Sequence, residues 1–262
     1  MLEQVTPVLL TYNEAPNIGR TLNKLGWACD IVVVDSFSQD ETLEIIARFP
    51  HVRVSQRAFD THAAQWNFAL QQTDIRTDWV LALDADYILS DTLIDEIRQL
   101  TPSNNTAGYE ASFTYCINGK PLRGAAYPPV TVLYRRVAAL YQQDGHTQRV
   151  AVQGMQEKLC APIFHDDRKP LYHWVQSQMR YMRLEAEKLS TSNSCKFGWS
   201  DRLRRLRVVA PFVMLFYCLF IKGAMLDGKA GIYYVFQRMF AEMLLSLFLI
   251  EKDLNLSKNR AD

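Results

Sequence analysis

Residues 79–86 read Trp79-Val-Leu-Ala-Leu-Asp84-Ala-Asp86: an unbroken apolar run that ends in two carboxylates one residue apart. A strand that is apolar at every position has both faces covered, which is the habit of a parallel sheet flanked by helices. The same habit recurs upstream. Val5–Thr11 is a short apolar run ending in Tyr12-Asn13-Glu14, Ile31–Asp35 is β-branched and stops at Asp35-Ser-Phe-Ser38, and Val52–Ser55 is a third short strand. Between them, Ile18, Leu22 and Leu25 fall at helical spacing within 15–25. Helices are also expected over 41–49, 63–71 and from Asp91 to Leu100. Strands alternating with helices predict an α/β sheet, and in such sheets ligands bind outside the carboxyl ends of the strands. Here those ends are Thr11–Glu14, Asp35-Ser36 and Asp84–Asp86.

Asp84 and Asp86 are hard oxygen donors, suited to sharing Mg²⁺ or Mn²⁺, and such an ion can hold a diphosphate. The same pattern also occurs in solvated loops. Asp35 could accept a hydrogen bond from a base or a ribose, or cap the helix that follows it. Composition narrows the function classes. A chain of 262 residues with 48% hydrophobic residues can bury a sizeable core, which excludes disorder and fits one domain, alone or with an appendage. With 29 Lys and Arg against 28 Asp and Glu, it lacks the footprint of a nucleic-acid binder. Cys29, Cys116, Cys160, Cys195 and Cys218 lie far apart without a CxxC pair, so reduced, cytosol-facing thiols are expected. Met1–Pro7 has neither a basic nor an apolar segment, and no signal peptide is expected.

The chain changes character after residue 100. Tyr109–Ile117 and Val130–Tyr134 read as strands joined through turns at Gly119 and Gly124, which predicts a mixed, partly antiparallel second half. Pro170–Leu189 reads as an amphipathic helix with Trp174, Met179, Met182 and Leu189 inward and Arg180, Glu185 and Lys188 outward. Residues 196–262 hold 11 Lys and Arg against 6 Asp and Glu, whereas 1–195 carry a net −4. This basic end is also the most apolar part. Val208–Ile221 is uncharged but too short to span a bilayer, and Ile232–Ile250 contains Gln237, Arg238 and Glu242. Two amphipathic helices lying at a membrane surface are expected, joined by Asp227-Gly-Lys229, with Arg202, Arg204, Arg205 and Arg207 facing anionic headgroups. A buried hairpin, or one sealing a homo-oligomer, is the competing reading.

Taken together, Thr11-Tyr-Asn-Glu14, Val32-Val-Val-Asp35-Ser-x-Ser-x-Asp40-x-Thr42, Gln65-Trp-Asn67-x-Ala-Leu70 and Asp84-Ala-Asp86 resemble family 2 glycosyltransferases with the GT-A fold. His165-Asp-Asp-Arg168-Lys, Gln178-Met-Arg-Tyr181 and Leu226-Asp-Gly228-x-x-Gly231 extend a looser likeness to bacterial enzymes that glycosylate lipopolysaccharide core or other envelope glycans. The resemblance implies an α/β GT-A domain over 1–195, with a nucleotide-sugar half (1–100) and an acceptor half (101–195), followed by a membrane-associated segment over 196–262.

It also implies roles. Thr11, Tyr12 and Glu14 would line the nucleotide pocket, with Asp35 on the base. Gln65 and Asn67 would face the diphosphate or ribose. Asp84 would contact ribose or metal, and Asp86 the metal. His165 is a candidate third metal ligand and His146 a weaker one. Arg168 and Lys169 could neutralise the diphosphate, although a solvated charge cluster reads the same way. The reaction needs a base for the acceptor hydroxyl. Asp144, in Gln143-Asp-Gly-His146, is the first candidate, although Asp-Gly is also a common turn, and Asp166 and Asp167 are its rivals.

The expected activity is inverting, metal-dependent transfer of a hexose from a nucleotide sugar, UDP-glucose or UDP-galactose, to a lipid-linked saccharide at the cytoplasmic face of the inner membrane. Transfer to polyprenyl phosphate and a non-catalytic membrane scaffold on the same fold are the alternatives.

Overall fold

The computed structural model describes residues 1–123, 127–144, 147–191, 203–204 and 206–258, without the side chains of Asp144, Thr147, Thr191 and residues 256–258. His146, Cys195, Arg202 and Arg205 lie outside the described residues. Contacts gather the chain into two compact units: Met1–Pro121 with Tyr127–Lys169, and Leu122–Ala126 with Pro170–Asp262.

The first unit is built on a seven-stranded sheet. Its elements in chain order are β1 (Val5–Thr11), α1 (Ile18–Asn23), β2 (Ile31–Asp35), α2 (Thr42–Ile46), β3 (Val52–Gln56), α3 (His62–Gln72), β4 (Trp79–Asp84), β5 (Tyr87–Leu89), α4 (Asp91–Gln99), β6 (Thr106–Ala111), β7 (Phe113–Ile117), β8 (Lys120–Pro121), β9 (Val130–Arg135), β10 (Ala139–Asp144), β11 (Thr147–Val152), β12 (Met155–Lys158) and β13 (Ile163–His165). The strand order is β12-β6-β9-β4-β1-β2-β3, with β4, β1, β2 and β3 parallel and β9 antiparallel to both β4 and β6. Two apolar clusters cover the sheet's faces. Leu9, Val33, Leu81 and Leu83 point to one, and Val8, Val32, Val34 and Val80 to the other. Continuous apolar strands are therefore what this sheet requires.

A smaller sheet, β5-β13-β7-β8, adjoins the end of β4. Tyr109–Ile117 is two strands, not one, because the chain leaves the large sheet after Ala111 and enters the small one at Phe113. The Ser112 carbonyl at this break accepts from the Ile163 amide. In β13, His165 lies opposite both Tyr87 and Tyr115. Asp84–Asp86 is thus a sharp step between two sheets rather than a free loop.

The second unit is helical, with α5 (Leu171–Thr191), α6 (Val209–Phe216) and α7 (Gly228–Lys258). The helix expected over Pro170–Leu189 clusters here. Its Glu185 is buried, contrary to the amphipathic pattern, because the Arg204 guanidinium lies 3.6 Å from it, and Met179 is exposed instead. Arg204 also binds Glu242 of α7 at 3.0 Å, so it is held by carboxylates and does not face outward. The polar residues that made Ile232–Ile250 look unlike a span are partly turned inward. The stretch Ala224–Asn255, a 3-10 turn (Ala224–Asp227) followed by most of α7, is by length and composition long and apolar enough to cross a membrane. Gly231 is required at its start, since a Cβ there would lie 1.9 Å from the Ala224 carbonyl oxygen.

Candidate active site

The carboxyl ends of β1 and β2 lead into two loops that are tied together. Ser36 N donates to the Thr11 carbonyl (2.9 Å), Asn13 N to Ser38 Oγ (2.9 Å) and Glu14 N to Thr42 Oγ1 (2.8 Å). Asp35 is fully buried, and its oxygens accept from Thr11 Oγ1, Ser38 N, Ser38 Oγ and Gln56 Nε2. This carboxylate ties the two loops together. Ser36, the next residue, receives Gln65 Nε2 at 2.8 Å. Gln65 also donates to the Arg57 carbonyl and accepts from Arg57 Nη1. Asn67 is occupied too. It bonds both the amide and the carbonyl of Tyr141, each at 2.9 Å, and so fastens α3 to β10. A polar side chain at a strand or helix end reads as a ligand contact in sequence, and here packing uses three of them internally.

The step after β4 is different. Asp86 Oδ2 lies 3.1 Å from His165 Nε2. The imidazole sits among Tyr87, Tyr115 and Tyr127, with ring centroids 4.8–5.2 Å away, and its buried Nδ1 has no partner. The Tyr87 and Tyr127 hydroxyls bond each other at 2.8 Å. Burial, then the charge of Asp86, pushes Asp84 up to about 6. Burial would raise Asp86 as well, but the His165 and Lys169 charges hold it below the usual carboxylate range. Burial would lower His165, and Asp86 outweighs it and raises the imidazole.

The segment after β13 completes the cluster. Lys169 Nζ donates to Glu14 Oε1 at 2.6 Å. Burial pushes Glu14 up to about 7, opposed by Lys169. Asp166 is buried and accepts from Arg20 Nη1, Arg168 Nε and Gly119 N. Gly119 takes a left-handed φ of 78° at this turn, where a Cβ would meet the Arg168 guanidinium. Asp167 accepts from Asn17 Nδ2 (2.8 Å) and Lys169 N (2.9 Å). Asp144 ends β10, and its side chain lies outside the described residues.

The carboxyl ends of β1, β2 and β4, two cross-tied loops and a part-buried carboxylate pair define the centre of this unit. Residues 7–150 match the family described as Glycosyl transferase family 2. The chain belongs to that family. It is 35% identical over 112 residues to an uncharacterized glycosyltransferase of Rickettsia bellii, covering 42% of this chain and 37% of that relative. It is 33% identical over 111 residues to one of Rickettsia felis, covering 42% and 38%. The chain therefore matches well under half the length of these relatives. Among solved structures, a mannosyltransferase of Pyrobaculum calidifontis, in complex with GDP-Man and Mn²⁺, superposes with a TM-score of 0.53 at 15% identity, covering 96% of this chain and 87% of that one. The fold is GT-A.

In this family 2 glycosyltransferase no sequence pattern pointed to Asn17. It is fully buried, its amide nitrogen bonds Glu14 and Asp167, and its oxygen accepts from Arg20 and from Arg168 N. The partners at 166–168 are about 150 residues away, so no local pattern could reveal them. Replacing Asn17 with alanine removes four hydrogen bonds to part-buried groups, each worth about 0.5–1.5 kcal/mol. A loss of about 3 kcal/mol is expected from urea unfolding; a loss under about 1 kcal/mol would mean that water replaces the amide.

Proposed function

We propose that this glycosyltransferase transfers a hexose, with inversion, from UDP-glucose or UDP-galactose to a lipid-linked saccharide at the cytoplasmic face of the inner membrane. The observation that carries the reading is the placing of Asp84 and Asp86 at and just past the end of β4, together with the Lys169–Glu14 pair (2.6 Å) on the segment that follows His165. The Lys169 charge lowers both aspartates. Asp84 and Asp86 fit Mg²⁺ or Mn²⁺. Both are hard oxygen donors, and such ions often take one or two carboxylates and complete their shell with substrate phosphates and water. Among the described residues no three His, Cys, Asp or Glu side chains form a closed cage, and His165 Nε2 is engaged by Asp86. Bound there, the cation would offset charge on the leaving diphosphate.

The chain's own groups would do the rest. Lys169 would draw the diphosphate toward the end of β4, in place of Arg168, which Asp166 holds. The acceptor oxygen would attack the anomeric carbon as its bond to the diphosphate breaks, with the electron pair leaving on the nucleoside diphosphate. Asp167 would take the acceptor's proton, with Asn17 fixing one of its oxygens.

Titration calorimetry of the full chain in detergent against UDP, GDP and dTDP, with Mn²⁺, Mg²⁺ or EDTA, tests the donor site. Binding of one nucleotide that EDTA weakens at least tenfold is expected. No binding of any nucleotide would overturn it.

The membrane reading rests on the second unit, where Phe212, Phe216, Phe220, Ile221, Leu226 and Phe236 are exposed. Burying one such ring is worth about 2 kcal/mol. Phe216→Ser, Phe220→Ser and Phe236→Ser together should cut co-sedimentation with phosphatidylglycerol vesicles at least a hundredfold. Unchanged co-sedimentation would point to an interface between copies.

A further inference from the structure

The loops after β1 and β2 run side by side and are cross-linked around one point. Ser36 N donates to the Thr11 carbonyl, Asn13 N to Ser38 Oγ (2.9 Å) and Gln39 N to Asn13 Oδ1 (2.8 Å). Tyr12 and Phe37 stand between these links, one on each loop. Both are open to solvent, at 52% and 51%. Phe37 is also held at a left-handed φ of 60°. On the facing loop, Asn13 has a φ of 53°, but a short polar side chain tolerates that region and a phenylalanine does not. The fold therefore carries backbone strain and an exposed ring at one residue, beyond the carboxyl ends of β1 and β2, on a backbone clamped from both sides. Such outliers persist where the surrounding structure over-determines them, and they gather at binding sites.

We infer that Phe37 is a nucleobase platform: its ring stacks on the base of the nucleoside diphosphate that enters between the two loops. The inference rests on the donor-site reading. An aromatic ring suits this task because every base offers a π-face, and the cross-links hold the ring in place before the ligand arrives. The diphosphate would then lie toward Lys169 and Asp86, away from Phe37.

Three variants separate stacking from loop integrity. Phe37→Gly removes both the ring and the strain, Phe37→Asn removes the ring but suits the left-handed backbone, and Phe37→Tyr keeps the ring. Calorimetry on the full chain, with the nucleoside diphosphate that the wild type binds best and with inorganic diphosphate, reads the effect. Phe37→Gly and Phe37→Asn should bind the nucleotide about tenfold more weakly, while their melting temperatures stay level or rise. Phe37→Tyr should stay within about twofold, and inorganic diphosphate should bind all four proteins alike. Unchanged nucleotide affinity in Phe37→Gly, or an equal loss for inorganic diphosphate, would overturn the platform while leaving the donor site standing. A wild type that binds no nucleotide would remove the donor site and the platform together.

Discussion

Asp86→Ala is expected to lower sugar transfer by about a thousandfold or more, the range seen when a group that stabilises transition-state charge is removed. Metal stimulation of nucleotide binding should vanish with it. Folding should not suffer. Asp86 is one of two part-buried carboxylates that repel each other, and its removal relieves the charge that helps to raise Asp84. His165 loses its acceptor, yet it stays packed among three tyrosines. The melting temperature should stay within a few degrees of the wild type. Residual transfer above about a tenth of the wild-type rate would remove Asp86 from the reaction.

Lys169→Met should be as damaging, by a different route. Its ammonium is the direct ionic partner of Glu14 and lies close enough to both aspartates to hold their charge. Removing one partner of this part-buried ion pair costs about 1–3 kcal/mol because the other is left uncompensated. The loss should depend on pH. Glu14 is already raised from 4.5 to about 7 in the folded protein, and without Lys169 it goes higher. The folded variant then binds more protons than the unfolded chain above pH 4.5, so its stability falls as pH rises through that window. Urea unfolding should therefore show a larger deficit at pH 8.5 than at pH 5.5, and Glu14→Gln in the same chain should flatten the difference. A deficit independent of pH would mean that water already screens the pair. Nucleotide affinity should fall about a hundredfold.

Much of the fold was legible, for a physical reason. Val5–Thr11, Ile31–Asp35 and Trp79–Asp84 are buried on both faces, so each announces itself as an apolar run wherever it pairs. Asp84 and Asp86 were legible because such a run ends in charge. Local patterns do not encode partnership at a distance. Asp35, Gln65 and Asn67 were expected to face a ligand, and no local pattern showed their bonds to Thr11, Ser36 and Tyr141. Glu185 looked like a solvent-facing helix residue until Arg204 was placed beside it. The break at Ser112 was hidden because both flanking strands are equally apolar.

The bonds of Arg20 to Asp166, Asn17 to Asp167 and Glu14 to Lys169 join residues 146, 150 and 155 positions apart. Contacts of such separation form late, since the loop entropy comes before the reward. During synthesis residues 1–100 emerge first, with Asn17 and Glu14 still without their distant partners. The cluster closes in one event, when residues 165–169 reach the small sheet and carry their cations in. A chain stopped anywhere before that point would hold nearly every strand of the fold and lack the group of residues on which the proposed reaction depends.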